Sequence, residues 1–107
     1  MNIEKIRLQD HVDYSSDSIV SKKILENNAG GITLFAFDQN QRLSEHTSPY
    51  NAIVQVIEGV AEIIIDNKTH ILSAGELIIM PANIPHAVNA HQQFKMLLTL
   101  IKGENVK

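Results

Sequence analysis

The chain has 107 residues, no cysteine, no tryptophan and a formal net charge of -3 at pH 7. This length predicts one domain, residues 1-107, because two separate hydrophobic cores would each be too small to be stable. The absence of cysteine excludes disulfides, thiolate metal sites and cysteine catalysis. The mild acidity, without a block of Lys or Arg, argues against nucleic acid as a partner.

The N-terminal segment is polar and irregular. It mixes charged with apolar residues, so no signal peptide is predicted, and the longest apolar runs of the chain are too short to span a bilayer. We therefore expect no membrane partner and a cytoplasmic location. Residues 1-29 should form an N-terminal strand and loop, with one short strand near residues 3-8.

Short β-type runs separated by turn residues dominate the rest of the chain. The predicted strands cover residues 19-25, 32-37, 53-57, 61-65, 69-72, 77-80, 86-90 and 94-101. Residues 20-27 contain good helix formers and could form a helical turn, but the Gly30-Gly31 pair that follows favours a hairpin return. The pattern predicts an all-β fold of eight or nine strands, arranged as a sandwich or barrel.

Several of these runs have apolar residues at both odd and even positions, notably within 53-57, 63-65 and 77-80. A strand with one face in water should alternate, so both faces of these strands are expected to be covered. We predict a homodimer, in which a second copy covers the outer faces. The alternative is that the N-terminal strand alone covers them.

Two segments carry a recognisable motif. Residues 40-59 include His46 and end in Val-Ile-Glu-Gly, and residues 75-90 read Gly-Glu-Leu-Ile-Ile-Met-Pro-Ala-Asn-Ile-Pro-His-Ala-Val-Asn-Ala. Together they resemble the two motifs of the cupin superfamily, G-x5-H-x-H-x3,4-E-x6-G and G-x5-P-x-G-x2-H-x3-N. The resemblance covers about residues 30-101 and implies a double-stranded β-helix, a jelly-roll barrel. Asn40 and Asn83 replace motif glycines, and because Asn tolerates positive φ, both turns should be kept.

The resemblance places His46 and His86 at two of the four metal-ligand positions of the family. Ser48 stands where the second histidine belongs, and Ala52 stands where the glutamate belongs. Side chains two apart on a strand share a face, so positions 46 and 48 should offer one imidazole and one hydroxyl to the barrel interior. Catalytic metal sites usually have three protein ligands, so this set is incomplete.

Two functions remain open from the sequence. The first is a binding module for a small organic molecule, with His46, Ser48, Tyr50 and His86 as ligand-binding residues. The alternative is a metal-dependent enzyme of dioxygenase or isomerase type, with a divalent metal held by His46 and His86. The cofactor prediction is therefore none, or a weakly bound divalent transition metal, and no catalytic residue is assigned. A third interpretation is a structural or interaction protein, in which core side chains fill the barrel and no ligand pocket remains.

The other histidines and the large apolar residues have simpler expected roles. His11, His70 and His91 are expected to be structural or exposed. Apolar side chains of a small barrel form its core, and some of them can also line a ligand pocket. The candidates for this double role are Phe35, Phe37, Met80 and Met96.

Overall fold

The computed structural model describes residues 3-103. Within this range the chain forms nine strands, joined by short turns. They are β1 (Ile19–Asn27), β2 (Gly30–Phe37), β3 (Arg42–His46), β4 (Asn51–Glu58), β5 (Val60–Ile65), β6 (Lys68–Ser73), β7 (Leu77–Met80), β8 (His86–Asn89) and β9 (Phe94–Ile101). The stretch that could have been helical is strand β1, because its backbone pairs along its length with β2.

Tight turns depend on residues that tolerate a left-handed backbone. Asp66 and Asn67 have φ of 51° and 63° and close the two-residue hairpin between β5 and β6, as expected for a type I′ turn. Asn40 and Asn83 have φ of 69° and 65°. Both motif turns are therefore kept without glycine, as the sequence predicted.

The strands form two antiparallel sheets with their inner faces packed together. The five-stranded sheet has the order β1-β2-β9-β4-β7, and the four-stranded sheet has the order β3-β8-β5-β6. Val54 and Phe94 from the first sheet meet Ile63 and Val88 from the second in one buried cluster. Phe37 stacks on Phe94 with ring centroids 4.5 Å apart. This architecture confirms the predicted all-β jelly-roll barrel.

The predicted strand near residues 3-8 is wrong. Residues 3-7 have no regular structure, and a 3-10 turn follows at Leu8–Asp10, closed by hydrogen bonds such as His11 N–H to the Leu8 carbonyl. A strand needs a neighbouring edge to pair with, and this segment instead crosses the outer face of the five-stranded sheet. Its apolar side chains Leu8, Val12 and Tyr14 pack there against Leu34.

The expectation that both sheet faces are covered holds only in part. The N-terminal segment covers the region around Leu34, Ala36 and Leu97, which is what the alternative interpretation required. Beside it, a row that is apolar except at Thr99 crosses all five strands through successive Cα partners. We call this the outer row: Leu25, Ile32, Thr99, Ile53 and Ile79. Its two end residues are more than half exposed.

Candidate functional site

The two motif histidines meet at one end of the barrel. His46 is the last residue of β3, His86 is the first residue of β8, and the two are Cα partners in the ladder that joins these strands. Their Nε2 atoms lie 3.1 Å apart, with the rings edge to face. His86 is buried, whereas His46 is exposed, so the pair stands at the boundary between the barrel interior and solvent.

A backbone carbonyl lies next to Nδ1 of each ring and orients it. His46 Nδ1 lies 2.7 Å from the Ser44 carbonyl, and His86 Nδ1 lies 3.1 Å from the Ile84 carbonyl. Because a carbonyl oxygen only accepts, each Nδ1 carries the proton and donates it. The two Nε2 atoms then face each other at hydrogen-bond distance, where two lone pairs would repel unless a hydrogen or a cation lies between them. The pair is therefore arranged to receive a hydrogen-bond donor or a cation at this point.

A cavity of about 180 Å³ extends from the histidines into the barrel. Apart from His46, Ser48 and His86, its walls are apolar. The apolar lining residues are Phe35, Leu43, Ala52, Met80, Val88, Met96, Leu98 and Leu100. The cavity is smaller than the roughly 300–1,000 Å³ typical of sites for drug-sized ligands, so it suits a compact molecule.

Ser48 and Tyr50 differ in their relation to this cavity. Ser48 lines it, although β3 ends at His46, so the expectation that positions 46 and 48 share one continuous strand is wrong. A hydrogen bond from Asn83 N–H to the Ser48 carbonyl ties this segment to the turn after β7. Tyr50 is not among the lining residues, and its ring lies 5.6 Å from Lys102 Nζ.

Burial affects the protonation of the inner histidine. Desolvation lowers the pKa of His86 below the usual imidazole value, and the nearby His46 lowers it further. The hydrogen bond to the Ile84 carbonyl acts in the opposite direction and is outweighed. Neutral His86 is thus the favoured form near pH 7, which keeps its Nε2 lone pair available.

The remaining histidines lie outside the cavity, as expected. His91 is exposed and contacts Glu62 at 3.0 Å. Hydrogen bonds from the Asn89 amide and then from this imidazole lower the pKa of the Glu62 carboxyl. His70 is half-buried on β6, and His11 follows the 3-10 turn. None of the three shares a lining contact with His46 or His86.

Sequence reasoning missed most of the apolar cavity wall. Leu43, Leu98 and Leu100 line it, yet each also fits an ordinary core position in an alternating strand. A larger open groove of about 880 Å³ runs along the N-terminal segment beside Gln55 and Gly75. It contains no histidine, so we assign the site to the smaller cavity, where the polar groups converge.

The resemblance to cupins implies a metal, and the side chains present fit it incompletely. With metal–nitrogen bonds of about 2.1 Å, two adjacent imidazole ligands lie about 3.0–3.4 Å apart, which matches the observed Nε2 spacing. However, no group of three His, Cys, Asp or Glu residues within 3-103 could hold a metal ion. The histidine pair thus supplies two ligands, and the usual third nitrogen or oxygen donor of a resident catalytic metal is missing.

Within residues 3-103 no helix is long and apolar enough to cross a membrane.

Comparison with known proteins supports the fold and the motifs. No curated protein matches the chain significantly. A conserved protein of unknown function from Streptococcus pyogenes is 36% identical over 98% of this chain and 92% of its own, with a TM-score of 0.90.

Two further solved structures extend this likeness. A Cupin 2 conserved barrel domain protein from Leptotrichia buccalis is 37% identical over 91% of this chain, with a TM-score of 0.87. The match spans 47% of that protein, so the present chain corresponds to about half its length. A cupin superfamily protein from Desulfitobacterium hafniense, 20% identical over 96% of this chain and 94% of its own, shares the fold with a TM-score of 0.89. The Cupin domain family matches residues 33-101, which include both motifs and both histidines, and the chain therefore belongs to the cupin family.

Proposed function

We propose that this cupin barrel binds a compact, largely apolar organic molecule, with His46 and His86 as its polar anchors. The observation that carries the proposal is the pair of convergent imidazoles at the end of an otherwise apolar cavity. Apolar walls favour burial of the ligand body, and a few fixed polar groups set its orientation. The ligand enters the cavity past the exposed side of His46.

Ser48 is the third polar group in this proposal. Its hydroxyl already accepts a hydrogen bond from Tyr50 N–H at 3.2 Å, which leaves its proton to be donated to a ligand. The histidine Nε2 atoms accept, so the cavity end offers acceptors and one donor. A ligand with a hydroxyl or amine group satisfies both, and Tyr50 contributes through its backbone rather than its ring.

Methionine methyl groups provide a direct test. Met80 and Met96 line the cavity and can be labelled with 13C, so ligand entry shifts their NMR signals. We expect some members of a library of small alcohols, phenols and amines to shift both signals in the wild type, and to bind about tenfold more weakly to His46→Ala. His91→Ala is the matched control, because its ring is exposed and outside the cavity. The proposal fails if no compound shifts the signals, or if both variants bind as the wild type does.

A metal-dependent enzyme is the second candidate, favoured by the 3.1 Å spacing of the two Nε2 atoms. The missing third nitrogen or oxygen donor opposes it, and we therefore place it second. Elemental analysis of protein purified without chelator tests this candidate. A stoichiometric divalent transition metal that is lost in His46→Ala supports it, and a metal content near zero after incubation with excess ion excludes it.

We also propose a homodimer in which a second copy covers the outer row. Leu25 and Ile79 at the ends of this row are 59% and 58% exposed, and Leu77 beside it is 56% exposed. A strip in which four of the five side chains are apolar is unusual for a sheet surface that stays in water. The N-terminal segment covers the adjacent region and leaves the strip itself open.

A further inference from the structure

A second cleft, of about 230 Å³, lies on the outside of the barrel, at the opposite end of β3 and β8 from the histidine pair. It is formed by the turn between β2 and β3 and the turn between β8 and β9. The lining residues are Asn40, Gln41, Arg42, Asn89, Ala90 and His91. Asn40 N–H donates to the Ala90 carbonyl at 2.7 Å, and Ala90 N–H donates to the Gln41 carbonyl at 2.9 Å. These two backbone hydrogen bonds hold the two turns together, so the cleft has fixed walls.

The strand register places three polar side chains side by side on the outer face of the four-stranded sheet. Arg42 on β3 is the Cα partner of Asn89 on β8, and Asn89 is in turn the Cα partner of Glu62 on β5. The next pair along β3 and β8, Leu43 and Val88, lines the barrel cavity. Because side chains alternate along a strand, the three polar side chains face outward. A guanidinium, an amide and a carboxylate therefore lie next to one another at this cleft.

The carboxylates next to the cleft already have hydrogen-bond donors within the chain. Glu62 accepts from the Asn89 amide at 2.8 Å and from His91 Nε2–H at 3.0 Å. Asp38, in the turn between β2 and β3, accepts from a backbone N–H at 2.8 Å and from the Gln93 amide at 2.9 Å. The first bond of each set is not needed to satisfy a cation, since both partners are neutral amides. Hydrogen bonds lower the pKa of both carboxyls, so both stay ionised at neutral pH.

The guanidinium of Arg42 has no such partner. Within residues 3-103 it makes no ion pair and no hydrogen bond, and the residue is exposed. Arg7, the other arginine of the chain, lies 3.5 Å from Asp10. A guanidinium presents parallel N–H donors that match the two oxygens of a carboxylate. Arg42 is therefore the donor that the cleft leaves open to a ligand.

We propose that this cleft binds a small carboxylate, whose two oxygens accept hydrogen bonds from the Arg42 guanidinium. The charge around the cleft selects this class of anion. Glu62 and Asp38 repel a phosphate dianion more strongly than a carboxylate, which carries a single charge. The body of the ligand lies against the turn that contains Asn40 and Gln41. The proposal is independent of the barrel cavity, because these side chains lie on the outer face of the sheet.

Nuclear magnetic resonance on the full chain tests this site. Sodium acetate replaces sodium chloride stepwise at neutral pH, so that the ionic strength and its screening stay constant. The ring signals of His91 and the side-chain amide signals of Asn89 report binding, and inorganic phosphate is titrated in parallel. The variants are Arg42→Gln and the matched control Arg7→Gln, because each removes one exposed arginine and changes the net charge equally.

We expect acetate to shift these signals to saturation in the wild type and in Arg7→Gln, and to bind about tenfold more weakly to Arg42→Gln, because a charged hydrogen-bonded pair is lost. Phosphate should bind more weakly than acetate. Shifts that do not saturate, or that are equal in the wild type and Arg42→Gln, overturn the site. Phosphate that binds as tightly as acetate overturns the assignment to a carboxylate. The ligand of the barrel cavity is decided separately, by the methionine methyl signals.

Discussion

Asn83 shows how a single residue supports the site. Its left-handed backbone, with φ of 65°, allows the turn that carries the chain from Met80 to His86. In left-handed φ/ψ space, a residue that has a Cβ atom but no side chain able to hydrogen-bond locally is destabilised by steric contact. We expect Asn83→Ala to lower the free energy of unfolding by about 1 kcal/mol and Asn83→Gly to change it by less than about 0.5 kcal/mol. Urea denaturation measures both changes. Equal losses in the two variants would show that the positive φ of Asn83 does not cause the loss of stability.

His86 gives the stability of the fold a pH dependence. Its pKa in the folded chain is lowered, chiefly by burial, below the value of about 6.5 expected in the unfolded chain. The unfolded chain therefore binds the proton more readily. The contribution of neutral His86 to the unfolding free energy is therefore fully present above about pH 6.5. It is lost as the pH falls through the lowered pKa of the folded state.

We therefore expect the unfolding free energy of the metal-free wild type to decrease between about pH 6.5 and pH 5. His86→Gln removes the titrating group and should make this decrease smaller. Urea denaturation in the presence of a chelator, at several pH values, measures the two slopes. Identical slopes for wild type and variant would contradict the role of His86.

At the level of elements, the N-terminal segment is attached to the barrel by a small polar network. The Tyr14 hydroxyl donates to Glu58 Oε2 at 2.5 Å, and buried Lys95 donates to the Gln9 carbonyl. Lys95 Nζ also lies 3.7 Å from Glu58 and 4.9 Å from the Tyr14 ring centroid. Burial and the carboxylate raise the pKa of Tyr14, so its hydroxyl stays protonated and keeps donating at neutral pH.

Removal of that hydroxyl should loosen the segment. We expect Tyr14→Phe to lower the unfolding free energy by about 1 kcal/mol, because the Glu58 oxygen loses its donor. Faster amide hydrogen exchange around Leu8 and Val12 should accompany the loss. Tyr50→Phe is the matched control, since its ring lies by Lys102, away from this network. A loss of similar size in both variants would argue against the network.

The elements also show what the sequence could and could not predict. β7 and β9 were predicted with their observed bounds, because apolar runs end at turn residues on both sides. The N-terminal strand failed because pairing depends on a free sheet edge, which no local pattern reveals. The histidine pair was predicted from motif spacing. That Leu98 lines the cavity as well as packing against the core could not be predicted, since both roles demand the same apolar side chain.

The whole molecule has two outer sheet faces, and only one of them carries the outer row. On the five-stranded sheet, Ile79 continues the outer row next to its Cα partner Ile53. On the four-stranded sheet, Ile71 is equally exposed at 58%, but its ladder partner is Glu62, which binds Asn89 and His91 at the surface. A second copy should therefore bind the five-stranded face.

Ile79→Asp and Ile71→Asp form a matched pair to test this assembly. Both sites are exposed, so neither substitution should greatly destabilise the folded chain. Light scattering at micromolar concentration should give the wild type and Ile71→Asp a mass of twice the 11.9 kDa chain. Ile79→Asp should shift toward a single chain, because a carboxylate buried in an apolar interface is desolvated without a partner. A wild-type mass of 11.9 kDa, or an Ile79→Asp variant that remains paired, would show that the outer row is not the interface.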